Sequence, residues 1–346
     1  MTTTQIIDDL RLAADALRQG LLVAFPTETV YGLGADATNP LAIQRLFAAK
    51  GRPSDNPLIV HLGEVGQLSQ AALSVSPTAW QLLDRFSPGP ITVVVEKCSN
   101  VLDSVTAGLS SVGVRIPDQS QAQELLRLVN RPVAAPSANL SGLPSCTTWQ
   151  SVLEDFNGKI DYVVKGEVSR IGIESTVVDC TRSQPVLLRA GAVTLEQLRT
   201  LLPNIICWND RVRENSASQL VVPSSPGLRH AHYQPKANVR LVLSMQEALQ
   251  YVQKQESAVA YFGLVPDDSM NQQSSEDGIS FGGMKFELFQ QFSSIEEYAR
   301  RFYELLREAD RREIREIFLQ LVPDVAIGRA LRDRQLRAAG KEGPSN

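Results

Sequence analysis

Residues 21–61 run from an apolar pentad, LLVAF, through PTETVYGLGAD and a short amphipathic stretch to KGRPSDNPLIVH. That order leaves the chain little freedom. The pentad reads as a buried strand stopped by Pro26, so Thr27, Glu28, Thr29 and Tyr31 gather at a strand end. Gly32 and Gly34 lack a Cβ and permit close approach by a ligand or by neighbouring backbone. Asn39-Pro40 reads as an N-cap followed by proline at the first helical position, and Ile43, Leu46 and Phe47 give the helix one buried face. The helix ends at Lys50-Gly51. Arg52 precedes Pro53 and is therefore extended, which puts Lys50 and Arg52 on one side of the chain. A compact ammonium beside a planar guanidinium suits a polyphosphate, with a solvated pair facing the helix dipole as the alternative.

The rest of the chain reads as two α/β domains joined by a linker. At 346 residues it is long enough for two cores. Strand-like runs at 91–95, 112–116, 133–135, 162–164, 176–178 and 186–188 alternate with helical periods. The strands between 162 and 188 follow one another without a helix, so the first sheet is expected to be mixed. Residues 203–237 show no helix or strand period until Val239, and as flexible chain they would span about 30 Å r.m.s.. RLVLS, a capping box at Ser244 and Glu247, and AVAYFG then make a β-α-β unit. A second box at Ser294 and Glu297 opens the last long helix, whose apolar face is Tyr298, Phe302, Leu305 and Ala309. Its arginines alternate with acids at i, i+4, as in Glu297 with Arg301 and Glu308 with Arg312, which favours a solvated face over an RNA patch.

Several chemistries are excluded or weakened. With 34 basic and 38 acidic residues the net charge is −4, so any positive field for an anionic ligand must be local. NGKI and AGKE do not continue into a phosphate loop, and no G-x-G-x-x-G opens a helix. Ser137 and Ser141 lack a G-x-S-x-G elbow, and the chain has only three histidines, so a serine hydrolase is a poor reading. His230 and His232 find no further Cys or His pair for a metal, and no metal ligand set is visible. Cys98, Cys146, Cys180 and Cys207 are widely spaced and read as reduced, small apolar residues. No run of eighteen apolar residues occurs, and MTTTQIIDDLRLAAD carries acids where a secretion signal carries bases. A cytoplasmic protein without membrane association is expected.

Seven segments in order, PTETVYGLGAD, KGRPSDNPLIVH, SPGPIT, VGVRIP, APSANLSG, GIESTVVD and LLRAG, resemble the threonylcarbamoyl-AMP synthases. The likeness covers about residues 5–200, and SPGLRHAHYQP at 225–235 resembles the linker of the long, two-domain form. It implies a YrdC-like catalytic domain with a mixed twisted sheet over residues 1–204, a linker or lid over the active site at 205–237, and a smaller Rossmann-like α/β domain at 238–346. The implied reaction activates L-threonine with bicarbonate or CO2 and ATP, releasing pyrophosphate, for threonylcarbamoyladenosine modification of tRNA. Mg2+ would accompany ATP. Downstream partners would be the proteins that transfer the threonylcarbamoyl group to tRNA, with weak RNA contact as a further possibility.

The resemblance also assigns residues. Ser137 and Asn139, i and i+2 after a proline, would work with Lys50 and Arg52 on the ATP phosphates. Lys50 and Arg52 would be the catalytic cations. Asn56, Ser111, Ser145 and Arg189 would contact the nucleotide, and Tyr233 in the linker would lie against it. Arg115 sits where apolar alternation buries it, so it needs a partner; the family implies the threonine carboxylate. Thr29, His61, Ala135 and Ser175 would complete the amino-acid site. Two other readings stay open here: a double-stranded-RNA-binding module that grips phosphates without chemistry, and a module that handles a carbamoyl adenylate without threonine.

Overall fold

The computed structural model describes residues 3–208, 233–252, 258–265, 279–281 and 284–340. The chain divides into two compact units, Met1–Ser141 with Ser145–His230, and Gly142–Pro144 with Ala231–Ser345. Most of the expected linker, including His230 and His232, lies outside the described residues. Its start is not a linker. Ile206–Cys207 forms a strand of the first unit's sheet, too short for any periodicity to betray it.

The first unit is a twelve-stranded mixed sheet with helices. Its strands are β1 (Gln5–Ile7), β2 (Val23–Phe25), β3 (Gly32–Asp36), β4 (Ile59–His61), β5 (Ala72–Ser74) and β6 (Ile91–Lys97). They continue as β7 (Ser111–Arg115), β8 (Val133–Ala134), β9 (Tyr162–Val164), β10 (Thr176–Asp179), β11 (Val186–Arg189) and β12 (Ile206–Cys207). The order is β1-β9-β2-β3-β8-β4-β7-β6-β10-β11-β12, with β5 paired to β6. Its helices are α1 (Leu10–Arg18), α2 (Pro40–Lys50), α3 (Pro77–Phe86), α4 (Asp103–Thr106), α5 (Ser120–Val129), α6 (Trp149–Phe156) and α7 (Leu195–Leu201). β2/β3, β6/β7 and β10/β11 are antiparallel while β4/β7 and β6/β10 are parallel, as hairpin-like and crossover connections require.

Strand alternation sorts the core into two layers. Val23, Phe25, Val133, Ala135 and Val164 join Ala13, Leu17, Leu125 and Leu126 of α1 and α5 on one face. Ala24, Ala134, Val163, Val60 and Val114 join the larger cluster on the other. Consecutive residues of one strand therefore face opposite cores, which is why β2 reads as an unbroken apolar run.

The helix predicted at residue 40 forms as its sequence dictates. Asn39 Oδ1 accepts from the Leu41 and Ala42 N–H groups, Pro40 opens the first turn, and Gly51 closes the helix in the left-handed region at φ 60°. Ile43 and Leu46 are buried and Phe47 half-buried.

The second unit carries a four-stranded parallel sheet in the order β13-β18-β14-β17, formed by Asn238–Val242, Glu316–Gln320, Val259–Leu264 and Leu288–Phe292. A separate antiparallel pair is β15 (Ile279–Phe281) and β16 (Met284–Phe286). The helices are α8 (Met245–Val252), α9 (Ile295–Arg311) and α10 (Ala326–Ala338). Placing the last strand between the first two departs from the 3-2-1 order of a Rossmann half. All four residues expected on the apolar face of α9 are buried. Each capping serine accepts from the N3 amide, but the glutamates reach one residue past the cap, Glu247 to the Leu243 N–H and Glu297 to Ser293. Glu308 pairs with Arg312 at 2.6 Å as expected, while Glu297 turns to Ser293 rather than to Arg301.

Candidate active site

Register places most of the predicted small-molecule residues on one face of the first unit's sheet. His61 of β4 stands beside Arg115 of β7, and Val133 is its partner on β8. Ser111 and Gly113 share the Arg115 face at period two, and Ala135 shares that of Val133. On the far side β11 brings Arg189 opposite Val177 of β10, two residues from Ser175. The β10 and β11 residues of this face form a small apolar cluster with Ile59 rather than joining the layer under α1 and α5. Polar groups thus occupy the sheet beside that layer.

The centre of the face is ionic and dry. Arg115 and Glu28 are 5% and 0% exposed, with Arg115 Nη2 2.8 Å from Glu28 Oε2. Their contact is Coulombic without hydrogen-bond alignment, because neither atom has a hydrogen-bond partner among the described residues. Burial, reinforced by the Arg115 charge and opposed by an Ile59 backbone hydrogen bond, pushes the His61 pKa down to about 3. His61 is therefore a neutral imidazole at any ordinary pH, packed edge-on to Phe25 at 6.2 Å.

Hydroxyls ring this centre. The loop after β2 is stitched down where Ile171 N–H donates to Glu28 O at 2.9 Å and Gly172 N–H to Thr29 O at 3.1 Å. Thr29 Oγ1 lies 2.9 Å from Thr27 Oγ1, and Thr27 in turn donates to Val30 O. Ser175 Oγ meets Thr92 Oγ1 at 2.8 Å. Arg189 grips Ser175 twice, Nε to its carbonyl at 3.0 Å and Nη2 to its hydroxyl at 3.1 Å. Gly191 lets the chains come this close: a Cβ there would stand 2.3 Å from Thr176 N and 2.6 Å from Ser175 C. Gly34 serves the same end within the sheet, where a Cβ would meet Phe25 Cε1 at 3.0 Å. The close approach expected at this glycine is made by protein.

The second cluster lies at the end of α2. Lys50 is 2% exposed, and its ammonium donates to Ser137 O and Asn139 O, each at 2.5 Å. Ser137 Oγ donates to Asn139 Oδ1 at 2.6 Å, so the two side chains meet as their spacing predicts. Ser141 N–H closes the arrangement onto Lys50 O. Arg52 Nε and Nη2 donate to Asn56 O and Pro57 O at 3.3 and 3.0 Å. Lys50 and Arg52 thus each order a loop. That was not legible from their spacing.

The remaining residues are distributed around these two groups. Asn56 is buried with Nδ2 lacking a hydrogen bond among the described residues. Ser111, half-buried at the start of β7, pairs with Glu96 in register. Ser145, fully buried, donates to Glu174 Oε1 at 2.7 Å. Tyr233 belongs to the second unit, where it is 5% exposed at φ 68° with its ring 5.1 Å from that of Tyr303. The sequence alone assigns no role to Glu28, Glu174 or Thr92. Glu28 had a usable signal, since a buried arginine requires a counter-charge and PTETV supplies one at a strand end.

Among the described residues no group of three or more His, Cys, Asp or Glu side chains could hold a metal ion. No helix among the described residues is long and apolar enough to cross a membrane.

Two family models match the chain. One, described as telomere recombination, covers residues 15–191, and the other, described as the C-terminal domain of threonylcarbamoyl-AMP synthase, covers 193–340. The threonylcarbamoyl-AMP synthase of Pyrococcus abyssi is 39% identical over 334 residues, spanning 96% of this chain and 94% of that protein. The Bacillus subtilis protein of the same name is 38% identical over 330 residues, spanning 95% and 92%. A crystal structure of P. abyssi Sua5 complexed with L-threonine superposes with a TM-score of 0.86 at 36% identity, covering 99% of this chain and 98% of that one.

Proposed function

The chain belongs to the threonylcarbamoyl-AMP synthase family, and from that premise we propose that its first unit makes L-threonylcarbamoyl-AMP from L-threonine, bicarbonate or CO2, and ATP, releasing pyrophosphate. One observation carries the reading at the level of residues. A buried guanidinium, Arg115, stands beside a neutral imidazole and a ring of hydroxyls on one sheet face, a setting suited to a small carboxylate bearing a hydroxyl.

The residues divide the work. Arg115 holds the threonine carboxylate, with Thr29, His61, Ala135 and Ser175 around the rest of the amino acid. The neutral amine adds to CO2 with loss of a proton, or to bicarbonate with loss of water, to give an N-carboxylate, whose oxygen attacks the α-phosphorus of ATP as the bond to pyrophosphate breaks. No protein nucleophile is needed. Catalysis then rests on holding two anions in line and on positive charge fixed before the reaction begins. Lys50, Arg52 and Arg189 supply that charge, and Lys50 also fixes the Ser137–Asn139 loop against the phosphates. Asn56, Ser111 and Ser145 complete the nucleotide contacts, and Tyr233 is the further residue that the family likeness assigns to the nucleotide. Mg2+ enters with ATP.

The product is a labile mixed anhydride, so it is handed to proteins that transfer the threonylcarbamoyl group to tRNA. The four free cysteines fit a cytoplasmic setting for that exchange. ATP-to-pyrophosphate exchange is the test. It should require both threonine and bicarbonate, and exchange that ignores threonine would remove the proposal.

A further inference from the structure

Five buried polar atoms in one place make no hydrogen bond to any described residue: Glu28 Oε1 and Oε2, Arg115 Nε and Nη2, and His61 Nδ1. Buried polar groups are almost always satisfied, and each exception asks for a reason. Here the exceptions are contiguous. Glu28 and Arg115 touch at 2.8 Å, and His61 stands beside Arg115 in the β4–β7 register. A structural ion pair in so buried a place would need its spare lone pairs and N–H groups satisfied by the protein, and among the described residues these are not. Among the described residues they are left for a ligand.

The arrangement specifies the partner's chemistry. An α-amino acid carries ammonium and carboxylate on one carbon, so a protein that reads both must set a negative and a positive group side by side. Glu28 and Arg115 are such a pair. A guanidinium has five N–H donors, so contact with one carboxylate leaves others for a second. We propose that Glu28 receives the α-amino group of the substrate while Arg115 takes its carboxylate. The two together read a zwitterion, which makes Glu28 a specificity-determining residue for a free α-amine. This rests on the reading of the face as an amino-acid site. It also explains why a carboxylate is kept fully buried at the end of β2, where a neutral residue would pack at lower cost.

Calorimetric titration of the full chain with three ligands tests it. Threonine carries all three groups, threoninol lacks the carboxylate, and 3-hydroxybutyrate lacks the amine. Glu28→Gln should weaken threonine and threoninol by about tenfold to a hundredfold, the scale of one hydrogen bond to a charged group, and leave 3-hydroxybutyrate within about twofold. Arg115→Lys should weaken threonine and 3-hydroxybutyrate and spare threoninol. If Glu28→Gln weakens threonine and 3-hydroxybutyrate alike, Glu28 only props Arg115 and the inference is wrong. Unchanged threonine binding in that variant would also overturn it. Failure of the wild-type chain to bind threonine would instead defeat the functional reading beneath it, so the two failures are distinguishable. Should Glu28→Gln not fold, Glu28→Asp keeps the charge and withdraws it by one methylene; it should lose threonine and threoninol affinity, again without loss of 3-hydroxybutyrate.

Discussion

Replacing Lys50 by methionine separates what that residue does for the fold from what it does for the reaction. The thioether side chain keeps most of the apolar stem and removes the ammonium. In the structure that ammonium makes two charge-assisted bonds of 2.5 Å to the Ser137 and Asn139 carbonyls, from a residue 2% exposed. Bonds of this kind are worth roughly 1.5–3 kcal/mol each. Ser137 is only half-buried, so water recovers part of the loss there. A net destabilisation of about 2–4 kcal/mol follows, within the 5–15 kcal/mol that keeps a typical domain folded. The variant should fold, with an urea midpoint lowered in proportion and threonine-dependent exchange reduced by roughly 10²–10³-fold, the scale of one lost charge at a transition state. Urea unfolding followed by fluorescence, with exchange measured on the same preparation, gives both numbers. Wild-type stability in Lys50→Met would refute the claim that this lysine pins the loop, and wild-type exchange in the folded variant would remove it from the reaction.

Arg115→Lys should weaken threonine far more than ATP, since an ammonium cannot reproduce the two-point hold of a guanidinium; equal losses by calorimetry contradict the assignment. Gly191→Ala drives a Cβ to within 2.3–2.7 Å of the backbone at residues 174–176, so it should displace Ser175 and lower threonine affinity. Unchanged thermal stability and affinity would show that the strands can part there. The third concerns acid. Because the His61 pKa falls from 6.5 to about 3 on folding, the unfolded chain holds a proton between those values that the folded chain lacks. Stability therefore rises with pH across that window and is lost on acidification, and His61→Gln should flatten the dependence in urea titrations at pH 4.5 and 7.5. An identical slope in the variant would argue that other groups set it.

Local rules carried far in this sequence. The stop at Pro26, the Asn39 cap, the helix end at Gly51 and the strands read near 23, 91, 112, 133, 162, 176 and 186 carry their signals in near neighbours, and each forms; β1, β3, β4 and β5 are further strands that no such signal marks. The parts that could not be read depend on contacts distant in sequence. Nothing in the K-G-R spacing indicates that Lys50 will reach residues 137 and 139, because only the finished sheet brings those carbonyls to the helix end. Arg189 on Ser175 is a similar case, produced by a β10–β11 register that a one-residue shift would undo. The two-residue strand at 206 and the strand order of the second unit were illegible for a different reason. Pairing partners are chosen by packing of whole elements, which leaves no local mark.

The alternation of β7 has a consequence for how this chain can change. Val112 and Val114 face the larger core while Ser111, Gly113 and Arg115 face the other way. A substitution at any of these alters one surface. Deleting or inserting a single residue between them would exchange the two sets, sending a guanidinium into a layer of valines and leaving valines on the face proposed for threonine. Side chains in this stretch can be traded one for one over evolutionary time, whereas its length is locked. Differences in length among descendants of this chain should therefore collect in the loops, and β7 should show none.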